Sequence, residues 1–283
     1  MQTPVLNLEL YRYQNTQMSQ TDDLVAVEEP LQIIVQYGSK AQRQEHILTL
    51  TMRTPGNDFE LVMGFLLSEG LIQSSAQILA LWHCEQVKDP AEKENVVKVS
   101  LDPGVAFERE GLNRNFYSSA SCGVCGKTAI DQVLACAEVL AFGEAALQVD
   151  ILTGLDHAFG ERQSLFRHTG GIHAAALFDN SGKLLVLRED IGRHNALDKL
   201  IGALAEMPEI ERSATILFLS GRVGYELVQK AIIARLPVIA ALGAPSSLAV
   251  SLARRHQQTL IGFLKPERFN VYSGAERFVS FQK

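Results

Sequence analysis

Short apolar runs alternate with amphipathic stretches over the second half of the chain. The runs at residues 215–219, 238–242 and 259–264 have the length of strands. The stretches between them, residues 225–235 and 247–256, repeat apolar residues at helical spacing. Strands that are apolar throughout are covered on both faces, so the pattern predicts an α/β domain with a largely parallel sheet between two helical layers.

A β-hairpin and a further helix are predicted ahead of these strands. Residues 172–178 and 183–188 are strand-like, and the polar sequence Asp179-Asn180-Ser181-Gly182 between them is typical of a turn. Asp190 follows the second strand and is placed to open a helix that runs through Asn195 and Leu200.

The first hundred residues mix strand-like stretches with one clear helix. The strand-like stretches are residues 31–36, 46–51, 79–82 and 96–100. The helix is predicted to begin at Asn57 or Asp58, whose short polar side chains can cap free N–H groups. It is expected to end at Gly70.

A polar stretch from residue 107 to 121 interrupts the alternation, and we place a domain boundary there. Residues 1–115 are predicted to form a smaller, β-rich α+β domain. Residues 116–126 are predicted to be a mobile cysteine loop, and residues 127–283 an α/β domain that binds a ligand. This second domain is expected to begin with a helix over residues 127–140.

Composition and charge narrow the functional classes. The chain has 283 residues, of which 47% are hydrophobic, enough for a substantial core. Its net charge of -6 gives no general attraction to nucleic acid or anionic lipid. No apolar run has the length of a membrane span, and the first residues lack the features of a secretory signal, so we expect a cytoplasmic protein with reduced thiols.

Small and basic residues follow three of the predicted strands. The loops are residues 220–224, 243–247 and 265–268, and their basic residues are Arg222, Lys265 and Arg268. Small residues such as Gly221 let a phosphate approach the backbone, so the loops predict an anionic ligand. The alternative is that they are ordinary strand-to-helix turns. Neither the usual glycine-rich dinucleotide motif nor a phosphate-binding loop with lysine is present in the sequence.

Cys122-Gly-Val-Cys125 is the strongest candidate for chemistry. Lys127 and the start of the predicted helix both favour a thiolate, the reactive form of cysteine. Three interpretations remain open: a zinc pair, a redox couple and a nucleophile that accepts sulfur. Zinc is disfavoured because Cys84 and Cys136 belong to no second Cys-x-x-Cys pair. His194 is either a base or ligand contact, or a structural residue at a helix start.

Several stretches together resemble the FdhD family, sulfur carrier proteins needed for formate dehydrogenase. They are residues 121–126, 169–174, 188–199, 220–222 and 262–270. The resemblance implies a sulfurtransferase that receives sulfur from a cysteine desulfurase and gives it to the molybdenum cofactor in its bis-molybdopterin guanine dinucleotide form. It also implies a homodimer, and a second domain with the three-layer, cytidine deaminase-like fold but without zinc.

The resemblance also assigns roles to residues. It implies that Cys122 carries the persulfide and that Cys125 is auxiliary. The stretch implied to contact the cofactor is Phe263, Leu264, Lys265, Pro266, Glu267 and Arg268. Gly221, Arg222 and His194 are further candidate cofactor residues, and no metal is expected on the protein itself. The family commonly has arginine and glycine where this chain has Lys265 and Pro266, so the contact of Lys265 is the least secure. Two alternatives remain: a cofactor-binding chaperone without sulfur transfer, and a thiol–disulfide oxidoreductase.

Overall fold

The computed structural model describes residues 2–85, 90–105, 107 and 146–278. The strands are β1 Val5–Gln14, β2 Gln17–Ala26, β3 Glu29–Tyr37, β4 Gln44–Arg53, β5 Ile78–His83, β6 Val96–Leu101, β7 His173–Asp179, β8 Leu184–Asp190, β9 Thr215–Leu219, β10 Val238–Ala241, β11 Thr259–Lys265 and β12 Arg268–Ser273. The α-helices are α1 Asp58–Ser68, α2 Val149–Arg162, α3 Ser164–Thr169, α4 Arg193–Ala205, α5 Tyr225–Ile233 and α6 Ser247–Arg255. Short 3-10 turns lie at Ser75–Gln77, Pro90–Asn95, Arg212–Ala214 and Ala275–Arg277.

The second half of the chain forms a six-stranded sheet with the order β12-β11-β10-β9-β7-β8. Strands β9, β10 and β11 are parallel to one another. The other neighbours, β7 with β8, β7 with β9 and β11 with β12, are antiparallel. The expected largely parallel sheet is therefore wrong in detail, because hairpins add antiparallel strands on both sides of a parallel centre.

Helices cover both faces of this sheet, as the apolar strands predict. On one face, Phe159 of α2 lies against Phe218 of β9, with 4.6 Å between the ring centroids. On the other face, α4, α5 and α6 contribute Leu200, Val228 and Ala249 to a second cluster of buried side chains. The α/β class and the layer of helices on each side are confirmed.

The first half of the chain forms a four-stranded sheet with the order β4-β3-β6-β5. Helix α1 packs against it, and Leu31 and Ile33 of β3 share a buried cluster with Leu61 and Leu66 of α1. This matches the predicted β-rich unit with one helix. The boundary expected within residues 116–126 and the helix expected over residues 127–140 lie outside the described residues.

Strands β1 and β2 form a separate two-stranded hairpin, which the sequence analysis did not predict. Its turn residues, Asn15 and Thr16, both have positive φ. This is the backbone conformation that tight two-residue hairpin turns require. Strand β1 alternates Leu6, Leu8 and Leu10 with Asn7 and Glu9, but Leu6 and Leu8 are about half exposed, so the alternation does not mark a buried face.

Helix α1 begins where expected, but not by the predicted cap. Asn57 has a left-handed backbone (φ 57°), and its side chain makes no capping hydrogen bond. The carboxylate of Asp58 instead accepts hydrogen bonds from the buried Arg53 guanidinium, with 2.9 Å between Nε and Oδ1. The Asp58 carboxylate therefore pairs with the buried charge of Arg53. Asp58 is one of the two residues predicted from the sequence to cap the helix, the other being Asn57.

Two glycines join the halves of the molecule where α1 crosses α4. A Cβ added at Gly64 would lie 1.8 Å from the carbonyl oxygen of Asp198, and one added at Gly202 would lie 1.9 Å from that of Glu60. Only glycine allows the two backbones to approach this closely. The contact fixes the position of the four-stranded sheet relative to the six-stranded one.

Within the described part of the chain, no helix combines the length and apolar character that a bilayer crossing requires.

Candidate functional site at the carboxyl edge of the parallel strands

Three loops meet at one edge of the six-stranded sheet, because the strands that precede them run parallel. The loops after β9 and β10 are paired through their backbones: Val223 N–H donates to the Ala244 carbonyl oxygen (3.0 Å), and Ser246 N–H donates to that of Val223 (3.0 Å). In β11, Phe263 N–H donates to the Gly243 carbonyl oxygen (3.2 Å). The segments that the sequence singled out are thus neighbours.

Glycines make this close arrangement of loops possible. A Cβ at Gly243 would lie 2.6 Å from the Gly221 carbonyl oxygen, and a Cβ at Gly262 would lie 2.9 Å from Pro245 Cδ. Side chains at these positions would force the loops apart. The small residues therefore serve the geometry of the edge, as well as leaving backbone accessible to a ligand.

The stretch from residue 265 to 268 does not lead into a helix, which corrects the sequence-based expectation of a third strand-to-helix turn. Lys265 of β11 pairs with Arg268 of β12, so Pro266 and Glu267 form a two-residue turn between antiparallel strands. A two-residue connection can join only antiparallel strands. No helix N-terminus is therefore available there to attract an anion.

Phe263 and Leu264, also predicted to contact the cofactor, have opposite environments. Phe263 is 43% exposed and has φ 54°, a left-handed conformation that is rare for an aromatic residue. The pairing between β11 and β12 shifts between Gly262 and Lys265, so Phe263 lies in this irregularity of the ladder. Leu264 is fully buried in the core, so its side chain offers no surface to a ligand.

The basic side chains at this edge are exposed and available. Arg222 follows β9, while Lys265 and Arg268 flank the β11–β12 turn, and all three residues are exposed. Among the described residues, none of the three is in an ion pair. Their charges are therefore free to attract an anion to the surface formed by the three loops.

Two histidines lie beside the loops. Nε2 of His194, in the first turn of α4, lies 2.8 Å from Oε2 of Glu226, in the first turn of α5. Contact with His194 lowers the pKa of the Glu226 carboxyl. His173 begins β7 next to Gly221, and burial, followed by the charges of Arg193 and His194, lowers the pKa of its imidazole. His194 thus lies against a carboxylate, whereas His173 favours the neutral form.

The stretch from residue 188 to 199 joins the two sheets rather than forming a catalytic cluster. Asp190 lies 2.7 Å from the Nζ of Lys199, with both side chains buried, and its carboxylate also accepts the backbone N–H of Thr54 (3.1 Å). Asn195 Nδ2 donates to the Met52 carbonyl oxygen (2.7 Å). Sequence reasoning missed this role because the partners are far apart in the chain.

The predicted catalytic residues Cys122 and Cys125 lie outside the described residues, as does Cys136. Their predicted chemistry stays a prediction. Cys84 is described and is buried, in keeping with a structural side chain.

Known proteins resemble this chain over most of its length. The model of the family described as FdhD/NarQ matches residues 26–279. A protein named sulfur carrier protein FdhD from Mycobacterium tuberculosis is 44% identical over 260 residues, which cover 90% of this chain and 91% of that protein. One of the same name from Sulfurisphaera tokodaii is 38% identical over 277 residues, covering 97% and 99% of the two chains.

A solved structure shares the fold. The crystal structure of a protein from Desulfotalea psychrophila, provisionally assigned as a formate dehydrogenase accessory protein, superposes with a TM-score of 0.73. It covers 98% of this chain and 100% of its own, with 23% sequence identity. At this identity, the likeness supports the architecture of the two sheets and their helices.

Proposed function

The chain belongs to the FdhD/NarQ family, and from that premise we propose that it is a sulfurtransferase that serves formate dehydrogenase. It takes sulfur from a cysteine desulfurase as a persulfide on Cys122. It then transfers this sulfur to the molybdenum cofactor in its bis-molybdopterin guanine dinucleotide form. The naming of many relatives as sulfur carrier proteins supports the transfer. The observation that carries the cofactor assignment is the meeting of two glycine-containing loops and the β11–β12 turn beside three exposed basic side chains.

The edge of the sheet suits a diphosphate-bearing ligand. Ligands of open α/β sheets bind outside the carboxyl ends of the strands, where loops expose backbone N–H groups. Here Arg222 supplies charge from the β9 loop, and Lys265 and Arg268 supply it from the β11–β12 turn. An arginine can hold a phosphate with two parallel hydrogen bonds, and a lysine contributes a point charge.

The loading step follows from thiol chemistry. The Cys122 thiolate attacks the outer sulfur of a persulfide on the donor protein. A sulfur–sulfur bond forms on Cys122 as the donor's sulfur–sulfur bond breaks, and the donor cysteine leaves as a thiolate. No oxidant or reductant is consumed in this exchange. Cys125 has an auxiliary role in the proposal, and we propose that the active protein is a homodimer.

Mass spectrometry tests the proposal directly. After incubation with a cysteine desulfurase and cysteine, the intact protein should gain the mass of one sulfur atom, and a reductant should remove it. Cys122→Ala should abolish the gain, and Cys84→Ala, which changes a buried cysteine, should retain it. A protein that gains no sulfur at Cys122 would contradict the proposal.

Two further results separate the alternatives. A chaperone without sulfur transfer predicts that Cys122→Ala still supports active formate dehydrogenase in cells. A thiol–disulfide oxidoreductase predicts that Cys125→Ala is as inactive as Cys122→Ala. The proposal predicts an inactive Cys122→Ala protein and sulfur loading in Cys125→Ala.

A further inference from the structure

Strands β1 and β2 form an arm that stands apart from both larger sheets. The ten residues of each strand pair with those of the other, and no third described strand joins them. Strand β2 contacts α3, and Leu10 and Thr21, which lie opposite each other, are half-buried. An isolated two-stranded hairpin is at best marginally stable in water, so the rest of the arm gains stability from a further surface to pack on.

The base of the arm is fixed to the four-stranded sheet. Gln2 precedes β1, and its side chain accepts a hydrogen bond from Nη2 of the fully buried Arg53 (3.1 Å) and donates one to Oδ1 of Asn95 (3.1 Å). At the end of β2, Val27 N–H donates to the Pro4 carbonyl oxygen (2.9 Å). The body of the protein therefore sets the direction of the arm, and the free end lies at the turn between β1 and β2.

The free end carries three large side chains on one side. Tyr13 lies directly opposite Met18, and Tyr11 is two residues from Tyr13 in the same strand, so all three point the same way. Tyr11, Tyr13 and Met18 are 68%, 67% and 63% exposed. Tyrosine and methionine are enriched in the buried centres of protein interfaces. We call this side of the arm the arm face.

Two carboxylates continue the arm face toward its base. Glu9 lies directly opposite Asp22 and is two residues from Tyr11, on the same side. Like charges that lie directly opposite each other destabilise a pair of strands. No described residue forms an ion pair with either carboxylate, whereas Asp23 on the other side is paired with Arg12. A partner that brings a cation to this place would relieve the repulsion.

A second apolar surface lies on the four-stranded sheet, on the side that α1 does not cover. In β3, Leu31 and Ile33 are buried against α1. The residues that alternate with them point away from α1, and so do their cross-strand partners in β4, which are Met52, Leu50 and Ile47. These three side chains are 46%, 62% and 50% exposed. We call this surface the sheet face.

We propose that two copies of the chain associate by laying the arm face of each across the sheet face of the other. Apolar side chains that are exposed on each copy become buried in this arrangement. Lys98 of β6 lies beside Ile34 on the same side of the sheet. Its ammonium group, 2.9 Å from a carboxylate oxygen of Glu45, is the cation available to Glu9 and Asp22. The inference deepens the proposed function, because it names the surface of the proposed homodimer.

A second copy suits these surfaces because each copy carries both of them. One contact leaves the other arm and the other sheet of the pair unused, and a two-fold axis brings these together in an identical contact. From Asn7 to Gln14 the arm spans about 27 Å, at about 3.4 Å per residue, and its two strands are about 10 Å wide. Two contacts, with both surfaces counted, therefore bury roughly 1,100 Å², which exceeds the about 1,000 Å² that a specific interface needs.

Sedimentation of the purified protein tests both faces. Tyr13→Ser removes a ring from the arm face, and Leu50→Ser removes an apolar side chain from the sheet face. Each should raise the dissociation constant of the dimer at least about tenfold, because a few large side chains at the centre of an interface dominate its affinity. Leu248→Ser, at a 51%-exposed residue of α6 that lies on neither face, is the matched control and should leave the constant unchanged.

A photoreactive crosslink identifies what the arm touches. Benzoylphenylalanine in place of Tyr13 is mixed with isotope-labelled copies of the unmodified chain, irradiated and digested with trypsin. The label should appear on the crosslinked peptide Gln44–Arg53, which is strand β4 and which trypsin releases whole because Arg43 precedes it. A label on this peptide shows that the arm of one copy reaches the sheet face of another.

The results decide the inference in either direction. Weaker association of Tyr13→Ser and Leu50→Ser, together with the crosslink to β4 of the labelled copy, supports it. A monomeric unmodified protein, a dimer that neither substitution weakens, or a crosslink to another peptide overturns it. A monomer whose Tyr13→Ser variant fails to activate formate dehydrogenase would assign the arm to a different protein, which also overturns it. Sulfur loading on Cys122 is measured by mass, so a failure of the proposed function shows itself independently.

Discussion

Lys230 and Asp198 form a buried ion pair between α5 and α4, with the Nζ 3.0 and 3.1 Å from the two carboxylate oxygens. Helix α1 completes the cluster: Ser68 Oγ donates to Asp198 (2.7 Å), and Glu69 Oε1 lies 2.7 Å from the same Nζ. Three helices from both halves of the molecule thus share one charged group. The pair links the first sheet to the layer that supports the candidate site.

Removal of one partner of this pair should be costly. Lys230→Met leaves the Asp198 carboxylate buried without its cation, and the free energy of unfolding should fall by about 3–5 kcal/mol. Burial alone would lower the pKa of Lys230, but the carboxylates of Asp198 and Glu69 outweigh it and raise the pKa, so Lys230 is charged at neutral pH. Burial raises the pKa of the Asp198 carboxyl, and Lys230 opposes that rise. Urea unfolding at pH 7 measures the loss.

The matched control is an exposed pair. Arg12 and Asp23 lie 3.4 Å apart on the β1–β2 hairpin, and both side chains are about half exposed. Arg12→Met should therefore cost no more than about 1 kcal/mol. Equal losses in the two variants would show that the buried cluster does not hold the halves together.

The glycine contact between α1 and α4 gives a second prediction. Gly64→Ala brings a methyl group to 1.8 Å from the Asp198 carbonyl oxygen, so the helices must separate. The free energy of unfolding should fall by about 1–3 kcal/mol or more. Gly154→Ala in α2 meets no atom within 4 Å and should be neutral or stabilising by up to about 1 kcal/mol, because alanine favours helix. Thermal unfolding of both variants distinguishes close packing from helix propensity.

The sequence predicts the elements of the fold better than their pairing. Strand β9 occupies the predicted residues 215–219, because a wholly apolar run has one interpretation once helices flank it. Strand β12 and helix α2 were missed. Strand β12 has only six residues, half of them polar, and α2 contains Gly154 and Gly160, which weaken a helical pattern. The antiparallel pairing of β7 with β9 joins strands that are distant in the chain, and no local pattern encodes it.

The candidate site could likewise be predicted only in part, because local patterns show where strands end but not which loops meet. Gly221 and Arg222 could be placed at the end of a strand from sequence, and the parallel strands bring them beside Gly243. The two-residue turn from Lys265 to Arg268 could not be foreseen, because strand β12 was not recognised.

His173 should make stability depend on pH in a defined range. Burial lowers the pKa of its imidazole, so the unfolded chain binds a proton more readily than the folded protein does. The free energy of unfolding should therefore fall as the pH drops below about 6.5, the ordinary histidine value, and level off below the folded pKa. His173→Gln should lose this part of the dependence.

Urea unfolding between pH 5 and 7 and an NMR titration of the His173 ring measure the two sides of this linkage. The contribution of Glu226 falls in a separate range, because its pKa is lowered and its stabilisation is lost only at more acidic pH. A His173 pKa at or above the ordinary value would contradict the prediction.

Phe263 carries backbone strain that glycine would relieve. Its left-handed conformation costs about 1–2 kcal/mol for a residue with a Cβ. Phe263→Gly loses only a 43%-exposed ring, so the free energy of unfolding should stay within about 1 kcal/mol of the unmodified protein. If the strain serves cofactor binding, the variant should still fail to activate formate dehydrogenase in cells. A stable variant with full activation would show that the ring has no part in the function.

A substitution of Lys265 should increase the affinity for a phosphate-bearing ligand. Its ammonium group is exposed beside the turn to Arg268 and can contact a phosphate only as a point charge. Lys265→Arg keeps the charge and adds a planar group that can hold a phosphate through two hydrogen bonds, so GDP should bind several-fold more tightly. Lys183→Arg, on the β7–β8 hairpin, is the matched control and should change nothing. Titration at low and at physiological salt measures both variants. An unchanged affinity of Lys265→Arg would mean that residue 265 does not reach the phosphates.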